Sequence, residues 1–342
     1  MILPHIGQMN AGGGLPLLSV RRLRVEFPSR RGTLVALDDV SFDIARGEVL
    51  GVVGESGAGK SLTGAAIIGL LEPPGRIAGG EILLDGEPIH ELRGEAMRRL
   101  RGRRIAMIFQ DPLTSLNPLY TVGEQLVETM LTHLDLTPAA ARERALALLD
   151  EVGIPAPAQR IDHYPHQFSG GMRQRVVIAL ALCAEPELII ADEPTTALDV
   201  SVQAQIIALL RRLCRQHRTA VMLVTHDMGV IAETADRVAV MYAGRVVEIG
   251  PVAEVVRAPA HPYTRGLMGA IPVLGAGVSR LVQIEGAMPR LDAIPPGCAF
   301  HPRCAAAFAR CRAERPELLP AGATRAACWL YAPMEKAEGG GR

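Results

Sequence analysis

Residues Gly54-Glu55-Ser56-Gly57-Ala58-Gly59-Lys60-Ser61 constrain this chain more than any other stretch of it. They fit the spacing G-x-x-x-x-G-K-[ST] and stand between a short apolar strand, Glu48-Val49-Leu50-Gly51-Val52-Val53, and a helix expected from about Lys60 to the stop at Pro73-Pro74. Only glycine lets a backbone wrap closely enough for successive N–H groups to surround phosphate oxygens. The helix N-terminus adds a favourable partial positive charge. Lys60 is then placed to reach the β- and γ-phosphates of a nucleotide, and Ser61 to ligate magnesium. Strand-type and helix-type segments alternate over residues 17–250, which predicts an α/β domain with a mostly parallel sheet.

A second apolar strand, Leu188-Ile189-Ile190-Ala191, runs into Asp192-Glu193. A carboxylate at a strand tip opposite a phosphate loop can hold the magnesium shell, and Asp192 takes that role. Glu193, next in the chain, is the candidate general base that polarises the attacking water. Between these two halves, residues 111–166 have a helical texture: Thr121 to Leu134 has helical spacing, Thr137-Pro138 offers an N-cap followed by proline, and Gly153 is placed to end the second helix.

Composition excludes several classes. Apolar residues make up 49% of the 342 residues, as in a globular chain. Lys plus Arg and Asp plus Glu balance at 36 each, which gives no push toward nucleic acid or an anionic membrane. The six arginines between Arg93 and Arg104 are accompanied by Glu91 and Glu95 and have no interleaved aromatics, so they read as a solvated face and no nucleic-acid partner is expected. Lys60 and Lys336 are the only lysines, so a chain that nearly always uses arginine keeps lysine in the loop. No apolar run approaches the roughly 20 residues needed to span a bilayer. Residues 1–16 carry Gly12-Gly13-Gly14 and two prolines without the layout of a secretory signal, and read as a loose extension of an intracellular protein.

Further along, Phe168-Ser169-Gly170-Gly171-Met172-Arg173-Gln174 lies with its serine 23 residues before Asp192. It resembles the signature motif of ABC ATPases, usually L-S-G-G-Q, with Phe168 for the leucine and Met172 for the glutamine. Phe109-Gln110-Asp111 resembles that family's Q-loop, Ala197-Leu198-Asp199 its D-loop and Thr225-His226-Asp227 its H-loop. The resemblance implies a P-loop NTPase (RecA-like) core with an inserted helical subdomain and Mg-dependent ATP hydrolysis between two subunits. It assigns catalysis to Glu193, His226, Gln110 and Lys60, and magnesium to Ser61, Gln110 and Asp192. Nucleotide binding falls to Gly54, Ser56, Gly57, Ala58, Gly59, Lys60, Ser61 and Leu62, with Phe27 as the adenine platform. Ser169, Gly170, Gly171 and Asp199 would act on the ATP held by a partner subunit.

The words around these motifs narrow the resemblance. Phe109-Gln110-Asp111-Pro112-Leu113-Thr114-Ser115-Leu116-Asn117-Pro118, Tyr164-Pro165-His166-Gln167 and the tail segments His261-Pro262-Tyr263-Thr264 and His301-Pro302-Arg303-Cys304 resemble the dipeptide/oligopeptide/nickel importer ATPases. Membership implies a second ATPase subunit (usually a distinct homologue), two transmembrane permeases, an extracytoplasmic substrate-binding protein, and a peripheral place on the cytoplasmic face of the membrane. Peptides are the implied cargo, with nickel or another small solute as the alternative. The rival from another class is a soluble ABC ATPase acting on nucleic acid or ribosomes, but such proteins carry long coiled coils, zinc insertions or two fused units. The expected division is an N-terminal extension at 1–16, a nucleotide-binding core at 17–110 and 167–250, a permease-contacting helical subdomain at 111–166, and a C-terminal extension at 251–342.

In that extension Cys298, Cys304, Cys311 and Cys328 have intervening lengths of 5, 6 and 16 residues. Four thiols in one proline-rich segment point to a metal or cluster site, and the spacing leaves zinc, iron–sulfur and free thiols open. The family resemblance favours a [4Fe–4S] cluster over Zn2+, in a structural role. Cys183 and Cys214 fall on apolar helical patterns and are expected to be packed core thiols.

Overall fold

The phosphate-loop strand Val49–Val53 is the axis of the molecule. In the computed structural model, which describes residues 15–30, 32–196, 198–270 and 283–333, it pairs in parallel with Ala220–Val224 on one side and Arg237–Tyr242 on the other. Beyond Ala220–Val224 come Leu188–Asp192 and then Ile105–Ile108, all parallel. These strands are continuous apolar runs because both of their faces are covered. Val49, Val53, Ile189, Ala191, Val221 and Leu223 enter the cluster beneath the helical insertion. Their alternate neighbours Leu50, Val52, Leu188, Ile190, Met222 and Val224 enter a second cluster on the opposite face. Each fully buried aliphatic side chain contributes about 1.5–3 kcal/mol, so the strand set is fixed by burial.

That second cluster is closed by a sheet absent from the sequence reading. Leu18–Ser29, Gly32–Ile44, Arg76–Leu84 and Glu87–Pro88 form a four-stranded antiparallel sheet. Register shifts between Val20 and Leu23 and again around Val25 break the period-two pattern, which is why alternation fails to announce these strands. Phe27 sits near the end of the first, opposite Leu34, with its ring edge against Gly75.

The helix after the phosphate loop is shorter than expected. It spans Lys60–Ile67 and ends before the prolines, where Gly69 turns at φ +69° and the N–H groups of Gly69 and Leu70 close back onto Ala66 and Ala65. Helices Val122–His133 and Pro138–Glu151 occur where the sequence puts them. Thr121 makes a capping box with Glu124, Thr137 caps from the residue before Pro138, and Gly153 leaves at φ +77°. Cys183 and Cys214 lie in the core, where burial pushes both thiols up to about 12.

After the antiparallel strand Arg245–Pro251 the chain forms helices Val252–Arg257 and Pro262–Gly269, and later the short helix Ala309–Ala313. A hairpin of Leu319–Ala321 and Thr324–Ala326 then joins the central sheet beside Arg245–Pro251, making eight strands among the described residues. Glu248, fully buried, holds this junction. Its carboxylate accepts from the N–H groups of Ala260 (2.8 Å) and His261 (2.9 Å) and from the Thr324 hydroxyl (3.4 Å).

Candidate functional site

The site forms at the C-terminal ends of the parallel strands, where open α/β sheets bind ligands. The loop after Val53 turns through three glycines with left-handed φ: Gly54 at +155°, Gly57 at +83° and Gly59 at +101°. Gly54 is also sterically obligatory, since a Cβ there would sit 2.3 Å from the Met241 carbonyl oxygen, while one on Gly59 would press the movable Leu37 Cδ2 at 2.6 Å. Gly59 then caps the helix Lys60–Ile67, whose first N–H groups open onto the loop.

Lys60 is folded inward, 6% exposed, and Nζ donates to the carbonyls of Gly54 (2.8 Å) and Glu55 (3.1 Å). Burial lowers its pKa, with the carboxylates of Glu193, Asp192 and Glu55 opposing that shift. The ammonium thus closes the loop into a ring around the space a phosphate takes. Across it, the Ser61 hydroxyl donates to Asp192 Oδ1 at 2.9 Å, so the alcohol and carboxylate expected for magnesium are already adjacent. Burial raises Asp192, which the Ser61 hydrogen bond only partly offsets. Two oxygen donors beside a phosphate pocket suit a hard divalent ion that keeps most of its waters.

Glu193 follows Asp192 with a left-handed φ of +45°, an uncommon conformation for a side-chain-bearing residue. Three groups converge on its carboxylate. Gln110 Nε2 donates at 3.1 Å and Thr196 Oγ1 at 2.8 Å, both to Oε2, and His226 Nδ1 lies 3.3 Å from Oε1. Burial pushes Glu193 up, but the bonds from Thr196 and His226 and the positive field of His226 and Lys60 outweigh it and hold the carboxyl below the usual range. The arrangement therefore favours the carboxylate form. Gln110, Glu193 and His226 come from three strand ends, and the parallel register brings them together.

Thr196 was not among the residues expected here. It lies three positions beyond Glu193, and only the turn closed by Thr196 N–H on the Glu193 carbonyl reveals its aim. Tyr263 was also passed over, although its hydroxyl accepts the Glu55 backbone N–H at 2.8 Å.

The signature segment is arranged differently. Ser169 caps the helix Gly170–Leu182 by accepting from Met172 N–H at 3.4 Å, while Ser169 and Gly170 remain exposed. Phe168 is 3% exposed, so the residue replacing leucine serves the core. Asp199 caps the helix Val200–His217 through its backbone and is exposed; Ala197 lies outside the described residues.

The four cysteines of the extension line one cavity, together with His261, Phe300 and Trp329. Among the described residues no group of three or more His, Cys, Asp or Glu stands close enough to hold a single metal ion. That spread is unfavourable for zinc, whose ligands must meet at one point about 2.3 Å from each sulfur. A cluster asks less convergence, because each thiolate binds a different iron. Burial pushes Cys298 up to about 11 and raises Cys304 and Cys328, so these thiols stay protonated unless a cation sits among them.

Comparison with known proteins agrees with this geometry. The sequence model described as "ABC transporter" matches residues 37–196, and that of the "Oligopeptide/dipeptide transporter, C-terminal region" matches residues 247–311. The dipeptide transport ATP-binding protein DppD of Bacillus subtilis is 48% identical over 92% of this chain and 94% of its own length. DppD of Escherichia coli is 47% identical over 89% and 93%, and the oligopeptide transport ATP-binding protein AppD of B. subtilis 45% identical over 92% and 97%. Among solved structures, the ATP-binding cassette MJ0796 bound to ADP and Pi in a dimeric post-hydrolysis state superposes with a TM-score of 0.61 at 28% identity, covering 69% of this chain and 98% of that one. CbiO1 of Clostridium perfringens gives 0.62 at 30% identity, covering 71% and 91%. By these matches, the chain belongs to the ABC transporter family, as an ATP-hydrolysing, ATP-binding protein of the branch that carries the oligopeptide/dipeptide transporter C-terminal region.

Proposed function

We propose that this ATPase powers the uptake of di- or oligopeptides through an ABC importer. The observation that carries the reading is the joint presence of the hydrolytic site and a C-terminal extension similar to that of relatives named for dipeptide and oligopeptide transport. In this reading ATP enters with its phosphates on the loop 54–61 and its adenine on Phe27. Magnesium would be held by Ser61, Asp192 and Gln110, where it would offset the charge of the phosphates. Glu193 orients and deprotonates the attacking water, and His226 grips the γ-phosphate while fixing the Glu193 carboxylate.

The Ser169-Gly170-Gly171 turn, exposed at Ser169 and Gly170, supports a two-subunit site. It is a helix N-terminus whose Ser169 hydroxyl, accepting from the Met172 N–H, still has its own hydrogen to donate, and it has no phosphate loop of its own, so it suits the γ-phosphate bound by a second, homologous ATPase, with Asp199 as a further contact. ATP then closes the pair, and hydrolysis with phosphate release reopens it. Two permeases would dock on the helical segment 111–166, where Tyr120, Leu131, Glu124 and Glu128 line an open groove, and a binding protein outside would deliver the peptide. That arrangement puts the chain on the cytoplasmic face of the membrane. The four cysteines would hold a [4Fe–4S] cluster that staples the extension.

The experiment is reconstitution of the full-length chain with its partner ATPase and permeases in vesicles. ATP-dependent accumulation of a labelled dipeptide supports the reading, and transport of nickel or another solute to the exclusion of peptides replaces it. Iron and sulfide analysis of protein purified without oxygen tests the cluster separately; about four irons per chain are expected.

A further inference from the structure

The C-terminal extension grips the phosphate loop itself. Glu55, second residue of the loop, is held from outside by two side chains more than two hundred positions away. Its backbone N–H donates to Tyr263 Oη at 2.8 Å across a separation of 208 residues. Its carboxylate receives Arg303 Nη1 at 3.1 and 3.0 Å, across 248 residues. Both anchors are rigid. Tyr263 is fully buried, its ring 4.7 Å from that of Tyr242 and 5.4 Å from that of Phe300. The Arg303 side chain is 8% exposed and Nε donates to the Glu285 carbonyl at 2.8 Å. A planar five-donor fork can satisfy a carboxylate and neighbouring carbonyls at once, which a lysine cannot.

These contacts bear on nucleotide binding in two ways. The Glu55 carbonyl accepts from Lys60 Nζ at 3.1 Å, so residue 55 is the point where the outer anchors meet the inner lysine, and a shift there moves the phosphate ring. The Glu55 carboxylate also places a negative charge at the mouth of an anion site, within the field felt by Lys60. Paired with Arg303 that charge is neutralised; unpaired and only partly exposed, it would repel the triphosphate and compete for Lys60.

We propose that Arg303 and Tyr263 are positioning residues for ATP, through which the C-terminal extension sets the shape and charge of the phosphate loop. The link is made by the chain's own side chains and operates whatever the neighbouring cysteines carry.

The test uses the full-length chain and reads three quantities: the Kd for Mg-ATP, the split between KM and kcat of ATP hydrolysis in the assembled transporter, and the melting temperature without nucleotide. Tyr263→Phe should raise Kd and KM about threefold to tenfold with kcat within about twofold and melting nearly unchanged. Arg303→Met should raise them by about tenfold or more, and Arg303→Lys by less. Adding Glu55→Gln to Arg303→Met should recover part of the lost affinity, because it removes the uncompensated charge; a purely structural arginine would give no such recovery. If Arg303→Met does not fold, Tyr263→Phe and Arg303→Lys decide. Unchanged Kd and KM in both of these, or a double variant no better than Arg303→Met alone, overturns the proposal.

Discussion

Glu193 receives two hydrogen bonds on one oxygen and faces an imidazole with the other, so its position is fixed by the chain's own side chains. Glu193→Gln should keep that frame and ATP binding while hydrolysis falls by orders of magnitude and a closed dimer accumulates, as judged by phosphate release and gel filtration with ATP. Turnover near wild type would remove Glu193 from the role of base. Gly54→Ala should be worse than a local nuisance, since the new methyl meets a carbonyl oxygen and the φ of +155° is strained for any side chain. Its ATP affinity is expected to fall more than about tenfold by titration, equivalent to at least about 1.4 kcal/mol. Gly54, Lys60, Ser61, Asp192 and Glu193 are legible in sequence because backbone geometry or charge leaves one residue type able to do the work. Thr196, Tyr263 and Arg303 are not legible in that way. A threonine, a tyrosine or an arginine has many ordinary uses, and only the folded chain tells where its polar end points.

At the scale of elements, the strands that run into the phosphate loop and into Asp192 and the two long helices of the insertion could be read ahead because apolar runs and caps are local signals, whereas the parallel strands Ile105–Ile108 and Arg237–Tyr242 were not read. The helix end at Ile67 could not, since Gly69 competes with Pro73-Pro74 as a stop and the nearer signal prevails. Nor could the antiparallel sheet, whose first hairpin loses its period-two signal at bulges and whose pairing of Leu18–Ser29 with Arg76–Leu84 is distant in sequence. Asp38 shows how that sheet is tied to the rest. Its carboxylate takes Arg24 at 2.9 Å, Arg245 at 2.6 Å and Arg315 at 2.5 Å, joining the antiparallel sheet to the central sheet and to the C-terminal extension. Burial raises Asp38, but the hydrogen bond and field of Arg245, with Arg315 and Arg24, bring it below its ordinary value. A carboxyl with a depressed folded-state pKa contributes stability that is full above its unfolded pKa and lost as pH falls through the folded value. Asp38→Asn should therefore cost about 1–2 kcal/mol at pH 7, allowing for partial exposure, in urea unfolding. The gap should narrow steadily below about pH 4. A gap independent of pH would mean that the arginines do not stabilise the charged form.

For the whole molecule, the decisive joint is Glu248. It collects Ala260, His261 and Thr324 around one buried carboxylate, so the chain beyond residue 251 is fastened to the ATPase core at the sheet as well as at the phosphate loop. Glu248→Ala would strand two N–H donors that are otherwise satisfied, and should cost about 2–4 kcal/mol in equilibrium unfolding. A loss under about 0.5 kcal/mol would mean that the two parts are not energetically joined. The hairpin that Glu248 helps to seat has one more effect, which concerns other chains. Without it the outer edge of Arg245–Pro251 around Val247 to Ile249 would present unpaired backbone groups, a template for a second molecule to pair with. The strand that becomes outermost instead, Leu319–Ala321, is three residues long with the exposed Pro320 at its centre. Proline has no N–H to offer, so the sheet ends on a border that cannot be extended by another strand. The same segment that reaches back to the nucleotide site thereby also blunts this edge of the sheet against pairing with a neighbouring chain.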